Sequence, residues 1–395
     1  MIRVIRKIWL ISAVIGTVYP FGGVSVAAGA PLTMKIAGGP QTIFRWAVDR
    51  CAPNHIPDAP ARAFRDSNNT VRLIAAHHMN RAMTGPTLAE ARVDCSVIYQ
   101  ANRSKDPAAL DDLVWLTAYH TLDGKRVVAL GHAEFHGHTV AGLCASGRYM
   151  ACWRNSVIAA VSEDGGKSFT RRPGMTAAAA TLPYPYDPRA GRHTGYFSPS
   201  NIVRWRNHAY VFVFAEQYRE QRRGACLLRA EAAADNPVWR AWDGRRFTIA
   251  LNGIVKAGGT RNQHICVPVP GIGSTITSVV RHAPTGTFLA LFAGTRAVPR
   301  LNRKVTGIFY VQSKDLVHWS PPALLLERPI MFKFACGDKV VFGYPSLIDG
   351  NSPSRNFDTV GEQLSLYLTR FNLTGCKLPM NRDLVRYPVH IMSGS

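Results

Sequence analysis

The chain has 395 residues, of which 47% are hydrophobic and 18% are charged, and it contains 8 cysteines. This composition excludes a disordered chain, a collagen and a small scaffold held mainly by disulfides. Lysine and arginine outnumber aspartate and glutamate by 47 to 25, giving a formal net charge of +22, which favours partners that carry negative charge.

The first 30 residues are typical of a secretory signal peptide. Basic residues between Arg3 and Lys7 precede an apolar run from Ile8 to Tyr19, and small residues follow in an A-x-A pattern that ends at Ala30. We predict cleavage after about Ala30 and a mature protein, residues 31–395, that is secreted or periplasmic. No other apolar run reaches the ~20 residues of a membrane helix, so we expect no stable membrane span.

All eight cysteines follow the predicted cleavage site. An even number in an oxidising compartment predicts up to four disulfides. Cys144 and Cys152 are close enough in sequence to close a small loop, whereas the other pairings stay open. No C-x-x-C spacing occurs, so neither structural zinc nor a redox motif is expected.

Pairs of strands with alternating apolar residues recur along the mature chain. They begin at Pro60, Asp112, Ser198 and Thr275, and a less regular fifth pair begins at Tyr344. Tight turns such as Asp123-Gly124 and Thr285-Gly286 carry residues that hairpins favour.

Further strands follow the second to the fifth pair, beginning at Ser156, Ala225, Gly307 and Gln363. The spacing Ser162-x-Asp164-x-Gly166-x-x-Phe169 is close to an Asp-box hairpin. In that motif the Ser and Asp side chains bond to the turn backbone and the aromatic ring packs between sheets. We interpret these turns as structural.

Five such units predict an all-β fold, a five-bladed β-propeller of four-stranded antiparallel blades in one domain over residues 31–395. Long helical periodicity is absent, and a β-sandwich with the same number of strands is the alternative architecture. We expect a monomer.

The strand rhythm, Asp58-Ala59-Pro60 and the SKDLVHW hairpin ending at Trp319 resemble the five-bladed propeller superfamily of arabinanases, levansucrases and invertases, glycoside hydrolases related to families 43 and 32. The stretches IPDAPARAFRD, GHAEFHG and YPSLID resemble a group of secreted propellers in that superfamily. The resemblance implies a carbohydrate substrate and assigns Asp58 as base or nucleophile. It also implies a Glu at the start of an inner strand of blade three, where this chain has FSPSN without a carboxylate.

Blade topology brings the loops that enter each first strand and leave each second strand to one face. Glycosidic cleavage requires a carboxylic acid and a second carboxylate. Asp58 is the predicted base or nucleophile, Glu134 or Glu216 the acid, and Asp112 a third carboxylate that tunes pKa. Ordinary turn and ion-pair roles are the alternatives for these residues.

The stretch His132-x-Glu134-x-His136-x-His138 alternates, so its side chains should share one side of a strand. They could contact sugar hydroxyls, assist acid–base work, form a structural cluster or ligate a divalent metal, and no other cofactor is expected. The residues predicted to bind substrate are Arg62, His77, His132, His136, Asn201, Arg296 and Tyr344.

We therefore predict a glycoside hydrolase-like protein acting on a carbohydrate, which the basic composition suggests is acidic. A non-catalytic glycan-binding propeller is the alternative, because the blade-three Glu is missing. A sialidase-like hydrolase is a lesser alternative, with Arg62, Arg81, Arg281 or Arg296 as candidates for its arginine triad. Arginines are scattered and no basic module interleaved with aromatics occurs, so no nucleic acid partner is expected.

Overall fold

The computed structural model describes residues 31–393, apart from positions 76, 173 and 253–263. Most regular structure in these residues is β-strand, which confirms the predicted all-β class. The predicted signal peptide, residues 1–30, lies outside the described residues. Short helical segments occur at Trp46–Asp49 (α1), Pro107–Ala109, Gly137–Thr139, Tyr149–Ala151, Gly174–Ala177 and Pro299–Leu301. Within the described residues, no helix is both long and apolar enough to cross a membrane.

The strands of the first half of the chain are β1 (Leu32–Ile36), β2 (Gln41–Phe44), β3 (Arg62–Arg65), β4 (Val71–Ile74), β5 (Met79–Asn80), β6 (Met83–Gly85), β7 (Arg92–Val93), β8 (Tyr99–Gln100), β9 (Leu113–His120), β10 (Val127–His136), β11 (Trp153–Ser162), β12 (Thr170–Arg171), β13 (Ala178–Ala180) and β14 (Thr194–Phe197). The strands of the second half are β15 (Val203–Trp205), β16 (His208–Ala215), β17 (Gly224–Glu231), β18 (Arg240–Trp242), β19 (Phe247–Ile249), β20 (Ser278–His282), β21 (Phe288–Val298), β22 (Arg303–Ser313), β23 (Ala323–Glu327), β24 (Val340–Ile348), β25 (Thr359–Val360), β26 (Gln363–Asn372) and β27 (Arg382–Ser393).

Sequential antiparallel strands form five groups, which we call sheets 1 to 5. Sheet 1 is β3-β4-β6-β7, sheet 2 is β9-β10-β11 with β12 and β13, and sheet 3 is β15-β16-β17-β18-β19. Sheet 4 is β20-β21-β22-β23, and sheet 5 is β24-β26-β27-β1, with β2 also paired to β27. Sheets 2 and 3 are joined through β14, which pairs parallel with β11 and antiparallel with β16.

The predicted hairpin turn between β9 and β10 has a clear local cause. The Asp123 carboxylate accepts hydrogen bonds from the backbone N–H groups of Lys125 and Arg126, at 2.8 and 3.0 Å. Gly124 has φ +79°, and a Cβ there would lie 2.4 Å from the carbonyl carbon of Asp66. Only glycine satisfies both the backbone conformation and this close approach.

Apolar side chains fill the space between neighbouring sheets. Each of five buried clusters contains side chains from two sheets, represented by Phe64 and Leu116 for sheets 1 and 2, Leu130 and Val211 for sheets 2 and 3, Phe212 and Phe288 for sheets 3 and 4, Leu291 and Leu366 for sheets 4 and 5, and Tyr367 and Leu73 for sheets 5 and 1. Every sheet therefore packs against two others, and sheet 5 packs against sheet 1.

The cysteines and the Asp-box turn also follow the sequence prediction. The disulfides are Cys51–Cys95, Cys144–Cys152, Cys226–Cys266 and Cys336–Cys376, and none of the eight cysteines is free. In the turn after β11, the Asp164 carboxylate accepts backbone N–H bonds from Lys167 and Ser168, both at 3.0 Å. The Phe169 ring is buried between sheets 1 and 2.

Candidate active site

A cavity of about 910 Å³ opens at one end of the sheets. Its walls come from segments that precede the first strand of a sheet, such as Asp58 before β3, and from the ends of second strands, such as Glu134 on β10 and Glu216 after β16. Three of the four predicted carboxylates therefore line the same cavity. The fourth, Asp112, does not line it.

Asp58 is surrounded by hydrogen-bond donors. Its Oδ1 accepts from the hydroxyl of Tyr344 at 3.1 Å and pairs with the guanidinium of Arg382, while its Oδ2 accepts from Trp115 Nε1 at 3.3 Å. Burial raises the pKa of Asp58, the charge of Arg382 opposes the rise, and the carboxylate of Glu134 adds to it. The result is a carboxyl group with a pKa above its ordinary value, which makes its ionised form a stronger base.

Glu134 lies between two imidazoles of its own strand. Its Oε2 is 2.7 Å from His136 Nε2, and its Oε1 is 3.9 Å from His132 Nδ1. His132 is buried and bonds through Nε2 to Asn155, and burial lowers its pKa. The strand alternation thus places all three side chains on one side, and it gives Glu134 an adjacent group with which to exchange a proton.

Glu216 has a different surrounding. Its Oε1 lies 3.2 Å from His193 Nε2, and its Oε2 accepts from Arg223 Nε at 3.0 Å. Burial alone would raise the pKa of Glu216, but these hydrogen bonds and charges outweigh it and hold the pKa below its ordinary value. Such a group stays ionised at neutral pH, so it is poorly suited to donate a proton.

Asp112 lies behind the wall. It is buried, its Oδ2 accepts the backbone N–H of His136 at 3.2 Å, and its Oδ1 is 3.8 Å from Arg103 Nε. Asp112 therefore holds the end of β10, on which Glu134 stands, and can influence the cavity through that strand.

The residues predicted to bind substrate divide into two sets. His132, His136 and Tyr344 line the cavity. The side chains that do not line it are Arg62, His77, Asn201 and Arg296.

Each of the four residues outside the wall contacts other parts of the fold. The Asn201 amide bonds to both backbone groups of Val279, at 2.6 and 2.7 Å, and so links sheets 3 and 4. Arg296 Nη2 donates to Ser274 Oγ at 2.6 Å. His77 is buried beside the His78 ring, with centroids 3.9 Å apart.

Arg62 lies deepest of the predicted set. It is 4% exposed, and its guanidinium donates to the carbonyls of Thr117 at 2.6 Å and Thr277 at 2.7 Å and to Ser346 Oγ at 3.1 Å. These partners belong to, or directly precede, the first strands of sheets 2, 4 and 5. Arg62 therefore holds sheets together, a role that its position just after Asp58 in sequence does not reveal.

Sequence reasoning left an aromatic wall of the cavity unassigned. Trp153, Tyr149 and Phe197 line the cavity, and the rings of Tyr149 and Trp153 stack with centroids 5.2 Å apart. The available signal was strand register, because Trp153 pairs directly with His136 at the end of β10. Arg382 was also missed, since it reaches Asp58 from the last strand of the chain and no local pattern marks it.

In the part of the chain that the structure describes, no group of three or more His, Cys, Asp or Glu side chains is arranged to hold a metal ion. The imidazoles and carboxylate of β10 contact one another instead. The alternating residues from His132 to His138 therefore do not form the divalent metal site that was considered for them.

The arginines considered for a sialidase-like triad lie elsewhere. The wall of the cavity contains Arg103, Arg223 and Arg382, none of which was a candidate, and Arg223 and Arg382 are each paired with a carboxylate. None of the four arginines considered for that triad lines the cavity.

No protein-family model and no curated protein matches the chain in sequence. Among solved structures, the chain is similar to an α-L-arabinofuranosidase from Lactobacillus brevis, with 12% identity, a TM-score of 0.48 and coverage of 85% of this chain and 91% of that one. It is also similar to an endo-arabinase from Bacteroides thetaiotaomicron, with 10% identity, a TM-score of 0.46 and coverage of 86% and 98%. A third similar structure is an α-L-arabinofuranosidase from Podospora anserina, with 9% identity, a TM-score of 0.44 and coverage of 92% and 97%.

Proposed function

We propose that residues 31–395 form a single five-bladed propeller and that this protein is a secreted or periplasmic glycoside hydrolase acting on a carbohydrate. The observation that carries the proposal is that Asp58 and Glu134, two carboxyl groups with different surroundings, line the same cavity of about 910 Å³. Four disulfides are consistent with an oxidising compartment.

The propeller is supported by the order in which the sheets pack. The five buried clusters join sheets 1 to 2, 2 to 3, 3 to 4, 4 to 5 and 5 to 1, which is the order of a closed ring. A sandwich would instead pack two sheets face to face. The bonds of Arg62 to segments of three other sheets fit first strands that surround a common axis.

The two carboxyl groups suit different halves of glycosidic cleavage. Asp58 has three donors aimed at its oxygens and a raised pKa, which suits a base or nucleophile. Glu134 contacts His136 at 2.7 Å, and we assign it the proton transfer to the leaving oxygen. The rings of Trp115, Tyr149 and Trp153 on the cavity wall offer flat apolar faces to the C–H faces of sugars.

The test is release of reducing sugar from a panel of neutral and acidic polysaccharides by the mature protein. Asp58→Asn and Glu134→Gln should each lower release by at least about 100-fold, since each removes an acid–base group. Glu231→Gln is the matched control, because Glu231 is exposed and lies at the opposite end of sheet 3 from Glu216.

Release that persists in both cavity variants would overturn the site assignment. Loss of sugar release in the Glu231→Gln control would mean that release is lost through damage to the fold and not through removal of a catalytic group. The melting temperature of each variant separates these cases.

A non-catalytic glycan-binding propeller is the second candidate. It is favoured by the pairing of the cavity carboxylates, since Asp58 contacts Arg382, Glu134 contacts His136 and Glu216 contacts both His193 and Arg223. Binding of a polysaccharide without release of sugar from any member of the panel would support this candidate over the enzyme.

A further inference from the structure

A tight turn beside the cavity exposes an aromatic ring. Backbone hydrogen bonds join Lys333 N to Ile330 O at 2.9 Å and Ile330 N to Lys333 O at 3.3 Å. Met331 and Phe332 form the tip of this turn, and both line the cavity. The Phe332 side chain is 74% exposed, the most exposed large apolar residue among those described.

The backbone at this tip is strained. Phe332 has φ +66°, a left-handed conformation that is unfavourable for a bulky side chain and that glycine or asparagine adopts more readily. Burial of the ring does not compensate for the strain, because the ring faces solvent. A strained residue with no packing role, placed at a cavity, indicates a contact with a ligand.

The rest of the segment is held firmly. Met331 N donates to Phe342 O at 2.9 Å, which attaches the turn to sheet 5. The disulfide Cys336–Cys376 and the hydrogen bond from Leu373 N to Lys339 O, at 2.9 Å, join this segment to the loop after β26. The ring is therefore presented by a fixed support.

The same disulfide-linked segment carries positive charge. Lys333, Lys339 and Lys377 are exposed, and within the described residues none of the three forms an ion pair. Asp338 is the acidic residue between them, and its carboxylate already accepts the backbone N–H of Ala335 at 2.7 Å. Ammonium groups without partners favour a ligand that carries carboxylates.

We infer that Phe332 is a sugar-binding platform at the exposed edge of the cavity, and that its ligand is a chain of several sugars carrying carboxylate groups. One sugar occupies the cavity, and a neighbouring unit of the same chain stacks its C–H face on the Phe332 ring. This inference deepens the proposed function and rests on it for the sugar in the cavity. The test below measures binding of the polysaccharide and not its cleavage. The inference about Phe332 can therefore be confirmed or overturned even if the protein releases no sugar.

The experiment is affinity electrophoresis of the Glu134→Gln protein through gels that contain polygalacturonate, alginate, arabinan or galactan. We expect retardation by an acidic polymer. Adding Phe332→Ala should weaken the apparent affinity by about tenfold, while Phe332→Trp should restore it, since a flat ring remains. Phe332→Gly should also weaken binding, yet its melting temperature should equal or exceed that of the parent because glycine relieves the strained φ.

Leu122→Ala is the matched control, because Leu122 is also an exposed apolar residue and lies at the far end of β9 from the cavity. Replacing Lys333, Lys339 and Lys377 by Gln together should weaken binding to the acidic polymer alone and reduce its dependence on salt. Equal retardation of the parent and Phe332→Ala, or absence of retardation in every gel, would overturn the inference. The inference would also be overturned if Phe332→Ala left polymer binding unchanged but abolished co-sedimentation with vesicles of anionic phospholipid or abolished dimerisation.

Discussion

At the scale of single residues, the fold separates titratable groups that face the cavity from groups that are enclosed. Asp58 and Glu134 line the cavity, whereas His77, the residue just before cavity-lining His78, is buried and does not line it. Burial, with the charges of His78 and Arg382, lowers the pKa of His77 to about 3. Because this imidazole stays neutral in the folded protein but is protonated more readily in the unfolded chain, the free energy of unfolding depends on pH.

Acidification should destabilise the fold through His77. Its pKa is about 3 when folded and 6.5 in the unfolded chain, so between these values the unfolded state binds more protons. Stability is therefore full above pH 6.5 and falls by up to about 1.4 kcal/mol for each pH unit below it. Urea unfolding at several pH values should show a smaller slope for His77→Gln than for the parent.

His390→Gln is the control for this measurement, because His390 is exposed on β27. An unchanged slope in His77→Gln would show that other buried imidazoles, such as His132 and His120, carry the dependence.

The candidate site was predictable in part, for reasons that lie in single residues. Alternation along β10 placed His132, Glu134 and His136 on one side, because a strand has a period of two. Sequence could not place Arg382 beside Asp58, since the two are 324 positions apart and meet only when sheets 1 and 5 pack together.

At the scale of elements, hairpins with side chains bonded to their own turns recur on the end of the sheets away from the cavity. The Ser162 hydroxyl donates to Asp164 at 2.6 Å and accepts the backbone N–H of Gly166 at 2.8 Å. In the related turn after β22, Ser313 and Asp315 make the corresponding contact at 3.1 Å. These local bonds explain why hairpins were readable from sequence, whereas the parallel pairing of β11 with β14 was not.

Removal of one such carboxylate should weaken the fold without altering the cavity. Asp164→Ala deletes acceptors for two backbone N–H groups and for the hydroxyls of Ser162 and Ser168, and should lower the free energy of unfolding by about 1 to 2 kcal/mol. Chemical denaturation measures the loss, and polysaccharide binding should be unchanged. Glu362→Ala, at an exposed position, should leave stability within about 0.5 kcal/mol of the parent, and an equal loss there would contradict the role of the turn.

At the scale of the whole molecule, the first described strand completes the last sheet. Strand β1 pairs antiparallel with β27 from Leu32↔Ser393 to Ile36↔Val389. Its buried side chains, Leu32 and Met34, join the cluster between sheets 4 and 5. The N-terminal strand was absent from the sequence prediction, because its partner β27 lies at the other end of the described chain and no adjacent hairpin marks the alternation of Leu32, Met34 and Ile36.

The proposed ring should therefore depend on β1. Leu32→Ala combined with Met34→Ala should lower the free energy of unfolding by roughly 4 kcal/mol or more. In calorimetry, we expect one unfolding transition whose midpoint temperature is lower than that of the parent. Thr33→Ala combined with Lys35→Ala alters the exposed side of the same strand and is the matched control. Equal effects of the two pairs, or a second transition in the parent, would contradict a single domain closed by this strand.

The pairing of β1 with β27 also bears on the order of events during synthesis. Leu32 is among the first residues of the described chain to be made, and its partner Ser393 is among the last. If the protein is exported as its leading segment predicts, sheet 5 stays incomplete until nearly all of the chain has crossed the membrane. The first described strand therefore pairs with the last one, and this pairing of high sequence separation is a late step in folding.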